Sequence, residues 1–259
     1  MALKKITGAK IVLTCHDVLA SESSLQGAKS ELENRKKIFR LVDVFLVHND
    51  FSEAQLKEVF NIDKSKIVKH PFPIMDLKKI IDVKNSDFIQ TDFLFLGHLR
   101  KEKGIDVLLN AWDIFHEKVP SATLRIAGNL PKMENINTQK YKGRKDIEFI
   151  LKFLTDEEYC KLIKSTRYVV LPYKRGTNSG VISTVLSLGA DVITSNILMF
   201  LQNPLVKRDL VFDTENADSL VTILDYAYNK ESIEEKYRIN EYRAVFEEEV
   251  NKVYASLRK

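Results

Sequence analysis

Cysteine occurs only twice in 259 residues, at Cys15 and Cys160. The two lie far apart in apolar surroundings, so they read as buried thiols of a reducing compartment and offer no metal-ligand spacing. No acidic pair of the Asp-x-Asp kind stands at a cleft position, and no metal is expected. Nowhere do about 18 apolar residues run consecutively, which argues against a transmembrane span. The opening MALKKITGAK has no apolar run long enough for a signal peptide. A strong charge of one sign is also missing, since 40 basic and 36 acidic residues leave a net +4. That mild excess suits an anionic ligand or a membrane surface. With no basic stripe interleaved with aromatics, it does not argue for nucleic acid. There is no internal repeat and no low-complexity tract. The composition, 44% hydrophobic and 29% charged, fits a globular, cytoplasmic chain of one large or two modest domains.

What is present is an alternation of short apolar strands with helical segments. The stretch that organises the chain is YVVLPYKRGTNSGVISTVLSLGADVITS, Tyr168 to Ser195. Its ends, Tyr168 to Leu171 and Val192 to Thr194, are β-branched runs of strand length. Val181 to Leu188 between them is too long for a strand, so the whole reads as a βαβ unit with parallel strands. The polar turn, Lys174 to Asn178 followed by Ser179 and Gly180, leads into the helix with Ser179 as its expected N-cap. Free N–H groups and the positive end of the helix dipole then face the mouth of the sheet, where an anion binds well. A simple helix cap explains the same residues equally well.

Upstream, strands are expected at Ile11–Cys15, Asp43–His48 and Ser65–His70. A helix falls between Ser21 and Leu41 with Leu32, Ile38, Phe39 and Leu41 on one face, and another over Phe51–Phe60 capped by Asp50 or Ser52. His16 stands just past its strand, where ligands sit in open α/β sheets, although a lone histidine there is often only a polar loop residue. Leu77 to Thr91 reads as a linker. A second sheet follows with strands at Asp92–Leu96, Ala122–Ala127, Asp146–Ile150 and Asp209–Phe212. The helix Ile105–Val119 carries Val107, Leu108, Ala111, Trp112 and Phe115 at 3–4 spacing. Arg100 and Lys103, in the turn before it, stand where a phosphate meets a helix N-terminus, or else form a solvated basic turn. The lysine-rich stretch Asn129 to Lys145 reads as a mobile excursion. Thr155 caps the helix Asp156–Lys164, Ala217–Tyr228 is helical, and a long charged amphipathic helix runs on from Ser232.

Taken together, FLGHLRKEKGIDVLLNAW, TLRIAG, EEYCKLIKSTRYVVLPY and NSGVISTVLSLGADVITS resemble the donor-binding half of a retaining glycosyltransferase of family 4. These are nucleotide-sugar enzymes of the GT-B architecture, with two Rossmann-like domains. IVLTCHD, DVFLVHND and KIVKHPF resemble the later strands of that family's acceptor domain. The resemblance implies an α/β fold with a truncated Rossmann-like domain at residues 1–80, a complete donor domain at 81–230, and a terminal helix at 231–259 that packs back. It implies that Arg100 and Lys103 bind the donor diphosphate and act in catalysis. Ser179, Gly180 and Val181 would hold the distal phosphate through backbone N–H groups, Asn178 and Thr184 would meet the donor sugar or ribose, and His16 would touch the transferred sugar.

Three departures accompany the resemblance. The family's spaced pair of glutamates falls on Gly176 and Thr184, and Asp191 stands where proline is usual. The family's acceptor domain also begins with several further strand–helix units, whereas here the His16 strand comes almost at once. The expected function is retaining hexosyl transfer from a nucleoside-diphosphate sugar to a glycan or lipid-linked acceptor. The sugar nucleotide is a substrate, and no cofactor is implied. The alternative is a degenerate, non-catalytic subunit that binds nucleotide sugar or a companion chain, with a free sheet edge open to another copy. Peripheral attachment to the inner face of a membrane fits the charge.

Overall fold

The structure is a computed structural model and is described here for residues 7–19, 25–70, 91–131, 136–203, 205–230, 247–248 and 250–255, with backbone only at 25–29. The linker expected before Thr91, and most of the expected terminal helix, fall outside these residues. The chain divides into two compact units, Met1–Pro73 with Arg243–Lys259, and Ile74–Tyr242.

The first unit holds a three-stranded parallel sheet in the order β1 (Val12–Thr14), β2 (Val44–Val47), β3 (Ile67–Lys69). Two helices connect the strands, α1 (Leu25–Phe39) and α2 (Asp50–Phe60). Phe39, Val42, Phe45, Val47 and Leu56 form the core with Cys15 and Val18. The face expected for α1 is only partly right. Phe39 is buried, but Ile38, its neighbour in the helix and so about 100° round from it, is 54% exposed, and Leu41, past the end of the helix where the 3.6-residue period no longer applies, is 39% exposed. The cap of α2 also differs from expectation. Asn49, not Asp50 or Ser52, adopts the extended N-cap conformation and accepts the Ser52 N–H at 2.8 Å.

The second unit is built on six parallel strands: β4 (Thr91–Leu96), β5 (Leu124–Ala127), β6 (Ile147–Ile150), β7 (Thr166–Leu171), β8 (Asp191–Ser195) and β9 (Val211–Phe212). Their spatial order, β6-β5-β4-β7-β8-β9, is that of a doubly wound dinucleotide-binding sheet, with its switch point between β4 and β7. Alternate residues of β4 serve opposite faces. Phe93 and Phe95 pack with Val107, Leu108, Ala111, Trp112 and Phe115 of α3 (Ile105–Lys118) and with Leu220 and Leu224 of α7 (Ala217–Asn229). Leu94 and Leu96 pack with Ile163 of α4 (Asp156–Lys164), Ile182 and Val185 of α5 (Gly180–Ser187), and Phe200 of the short α6 (Leu198–Leu201). Each fully buried side chain of this size contributes about 1.5–3 kcal/mol through lost water contact. With both faces covered, the strands read as continuous apolar runs instead of alternating ones.

The excursion Asn129 to Lys145 is anchored where it is described. Tyr141 is buried in the α3 core, and the Arg144 guanidinium bonds Asp113 Oδ1 at 2.7 Å and Asp146 Oδ2 at 2.5 Å. Trp112 Nε1 donates to the same Asp146 oxygen at 2.8 Å. Burial pulls Asp146 up, but the Arg144 and Trp112 hydrogen bonds outweigh it and hold the carboxyl at about 2. Thr155 caps α4 as expected, and Glu158 completes a capping box by bonding back to the Thr155 N–H. Both cysteines are buried thiols, and burial pushes Cys15 up to about 11. Among the described residues no helix is long and apolar enough to cross a membrane.

Candidate functional site

The loops that leave β4 and β7 emerge side by side, because these strands pair directly, Phe93 with Tyr168 and Leu94 with Val169. Both run from the carboxyl ends of their strands, at the switch point where ligands of such sheets bind. The β4 loop, residues 97–104, makes one tight turn at Lys101–Lys103 and ends at Gly104 in the left-handed conformation, φ 68°. A Cβ on Gly104 would lie 1.8 Å from the Pro172 carbonyl oxygen. The two loops therefore meet backbone to backbone, and only glycine fits. A second close approach fixes the base of the loop, where a Cβ on Gly128 would stand 1.8 Å from Gly97 O.

Further contacts interlock the loops. Lys174 N donates to Glu102 O at 2.9 Å, and the Lys174 ammonium reaches Asp106 Oδ2 at 2.6 Å. Lys103 Nζ lies 3.7 Å from the centroid of the Tyr173 ring, a cation–π contact. Tyr173 is itself fully buried, with its carbonyl accepting the Ser195 hydroxyl at 2.5 Å. Burial pushes the Tyr173 phenol up to about 12 against a smaller downward pull from Ser179. Arg100 opens the β4 turn with its side chain 46% exposed and 3.8 Å from Glu102, too long for a hydrogen bond.

The β7 loop delivers the N-terminus of α5. Ser179 takes the N-cap position, but its side chain does not cap the helix, contrary to expectation. Its Oγ is buried without a well-formed hydrogen bond, near enough to the Tyr173 phenol to perturb it but not in bonding geometry. The first-turn N–H groups of α5 thus lack that side-chain acceptor, as the start of a helix offered to an anion requires. No described heavy atom lies within 4 Å of a Cβ built on Gly180. The Val181 side chain stands 3.5 Å from the Cβ position of Gly97, which ties α5 to the β4 loop. Thr184 is buried inside α5, where its hydroxyl bonds Gly180 O at 2.9 Å. Asn178 lies in the turn just ahead of the helix.

His16 belongs to the other unit. It is exposed just beyond β1, stacked on His48 with ring centroids 4.9 Å apart and Nδ1 3.1 Å from His48 Nε2. Sequence reasoning singled out His16 but not His48 or His70. It also missed that Lys174 latches the loops and that Tyr173 floors Lys103. The position of Tyr173, directly after an apolar strand and Pro172, was the available signal. Among the described residues, no group of three or more His, Cys, Asp or Glu is arranged to hold a metal ion.

Residues 78–244 match the family described as Glycosyl transferases group 1. The chain belongs to that family. A GDP-mannose:glycolipid 4-beta-D-mannosyltransferase of Xanthomonas campestris is 30% identical over 102 residues, 39% of this chain and 29% of the relative's length. Among solved structures, the alpha,alpha-trehalose-phosphate synthase of Burkholderia xenovorans matches with TM-score 0.71 and 10% identity, over 99% of this chain and 70% of the other. The sucrose-phosphate synthase of Thermosynechococcus elongatus matches with TM-score 0.63 and 18% identity, over 88% of this chain and 60% of the other. The group 1 chain thus shares the α/β, GT-B fold class of these enzymes while spanning only part of the relatives' length. All the proposed diphosphate contacts lie within the matched segment.

Proposed function

We propose that this chain binds a nucleoside-diphosphate sugar at the loops after β4 and β7 and transfers its hexose to a glycan or lipid-linked acceptor with retention of configuration. The observation that carries the proposal is the interlocking of the two loops at the switch point. It sets the basic turn of Arg100 and Lys103 beside the open N-terminus of α5. A diphosphate placed there meets two cations and the backbone N–H groups of Gly180 and Val181. As the bond from the anomeric carbon to the leaving phosphate oxygen breaks, negative charge grows on the diphosphate, and these preformed groups stabilise it. For the configuration to be retained without a covalent enzyme intermediate, the acceptor hydroxyl attacks the anomeric carbon from the face the diphosphate leaves, and its proton passes to the departing phosphate oxygen. Asn178 and Thr184 are the proposed contacts to the donor sugar or ribose. The Thr184 hydroxyl donates to Gly180 O and would meet the ligand as an acceptor. His16 is assigned to the transferred sugar.

Thermal stabilisation by a panel of nucleotides and nucleotide sugars identifies the donor, since a ligand specific to the folded state raises the melting temperature. Incubation with that donor and candidate acceptors then reads turnover as release of nucleoside diphosphate. The name of the Xanthomonas relative specifies a β-linked product, so the anomeric configuration of this chain's product decides between retention and inversion. Stabilisation without turnover would favour a non-catalytic binding subunit. The absence of stabilisation by any nucleoside diphosphate would remove the donor site altogether.

A further inference from the structure

The loops after β4 and β7 pass each other in opposite directions, residue against residue. The Pro172 carbonyl lies against Gly104, the Tyr173 ring against Lys103, and Lys174 N donates to Glu102 O at 2.9 Å. The outer two contacts are made by the backbone. The main chain therefore sets the register, and it places Lys103 and Tyr173 opposite each other.

This middle pair joins a long, flexible side chain to a fixed one. Tyr173 is buried, its carbonyl accepts the Ser195 hydroxyl at 2.5 Å, and its ring packs on Phe200 with centroids 5.3 Å apart. Lys103 Nζ stands 3.7 Å from the centroid of that ring. The face of an aromatic ring is negative, and its pull on a cation grows where water is excluded. The phenol end of the same ring stands beside Ser179, the N-cap residue of α5. One buried side chain thus meets the basic turn with its face and the helix start with its edge.

We infer that Tyr173 is a positioning residue for diphosphate binding, whose ring holds the Lys103 ammonium in place relative to the start of α5. A lysine ordered in advance costs less to order when the ligand arrives. The contact stands on the geometry alone. The use of the held ammonium on a diphosphate rests on the nucleotide-sugar reading above.

The test takes the two in turn. In the full chain labelled with 13C-lysine, the ε-methylene protons of Lys103 are the signal lost in Lys103→Met. They should lie upfield of those of the other lysines, because a ring shields what stands over its face. The shift should survive in Tyr173→Phe and disappear in Tyr173→Leu. An ordinary position in the wild-type chain overturns the proposal, whether or not the variants fold, and needs no ligand. Calorimetry with GDP, UDP and ADP then tests the use, taking whichever binds the wild-type chain most tightly. Tyr173→Phe should bind within about twofold of wild type, and stepwise fluorination of that ring, which weakens the charge on its face and hardly alters its shape, should lower affinity by up to about tenfold. In a Lys103→Met background the same fluorination should have no effect, as required of a residue that acts through another. Affinity indifferent to fluorination, or lowered equally with and without Lys103, would make Tyr173 a packing residue and overturn the proposal. A wild-type chain that binds none of the three removes the donor reading, and the role of the held ammonium with it, while an upfield Lys103 signal still reports the contact.

Discussion

The two sheets of this chain are written in much the same apolar alphabet and buried quite differently. In the small sheet, β2 alternates between half-buried and buried positions, and β1 and β3 contain no fully buried residue. In the large sheet, β4 and β7 are each buried at five of six positions. The difference lies in the cover. Helices pack on both faces of the large sheet, so side chains of the central strands meet apolar partners on either side. In the small sheet Phe45 and Val47 enter the core, while Leu46 between them is only half-buried. Strand composition therefore identifies strands, but only the packing of helices shows how much each one contributes.

The largest effect expected from this contrast is on stability. Leu94→Ala, on a two-sided strand, should cost about 2–5 kcal/mol by denaturant unfolding, whereas Leu46→Ala should cost less than half as much. Equal losses would mean that the small sheet is as deeply packed as the large one. Ligand affinity should divide along the same line. Arg100→Ala or Lys103→Ala should weaken nucleoside-diphosphate binding by about 1.5–3 kcal/mol, the scale of a hydrogen bond to a charged group. His16→Ala should leave that affinity near wild type, and calorimetry on the three variants checks the division.

A third test uses pH. Asp146 is held at about 2 in the folded chain, against an ordinary 3.8. A depressed carboxyl pKa stabilises the fold above the unfolded value, and the gain disappears as pH falls from about 4 toward 2. The shift corresponds to roughly 2 kcal/mol. Asp146→Asn should therefore be less stable than wild type at pH 7 and nearly equal to it near pH 2. A stability gap that persists at low pH would assign the residue's role to packing rather than charge. The smallest contrast compares two helix starts. Asn49→Ala should cost about 1 kcal/mol because its side chain caps α2. Ser179→Ala, at a position where the side chain makes no cap bond, should cost almost nothing in thermal unfolding.

Much of this was legible in the sequence where the signal is local. All nine strands among the described residues were expected within a residue or two, because short apolar runs bounded by turn residues leave little choice. The Trp112 stripe of α3 followed from spacing, and the Thr155 cap of α4 from residue type and place. What escaped was set by distant partners. Asn49, Asp50 and Ser52 are all good caps, and only the hydrogen bond decides among them. The lysine-rich stretch before Asp146 looked mobile because the partner of Arg144, Asp113, lies 31 residues away. His48 and His70 carried no local pattern, since they meet His16 only through strand register. At the candidate site, the basic turn and the Ser179-Gly180 helix start were visible in advance. The backbone contact of Gly104 with Pro172 was not, because it depends on two strands becoming neighbours.

That neighbourhood also bears on how the molecule comes into being. The pairing that creates the candidate donor site joins Thr91 to Thr166, 75 residues apart. Local hairpins are absent from an all-parallel sheet, so this contact must be made by closing a long loop, with α3, β5, β6 and α4 lying between. Such closures are entropically late steps and slow the folding of non-local topologies. During synthesis, the basic turn at Arg100 is therefore made well before the α5 N-terminus it is to stand beside. Until β7 pairs with β4, only one of the two loops that make up the candidate site is in its place.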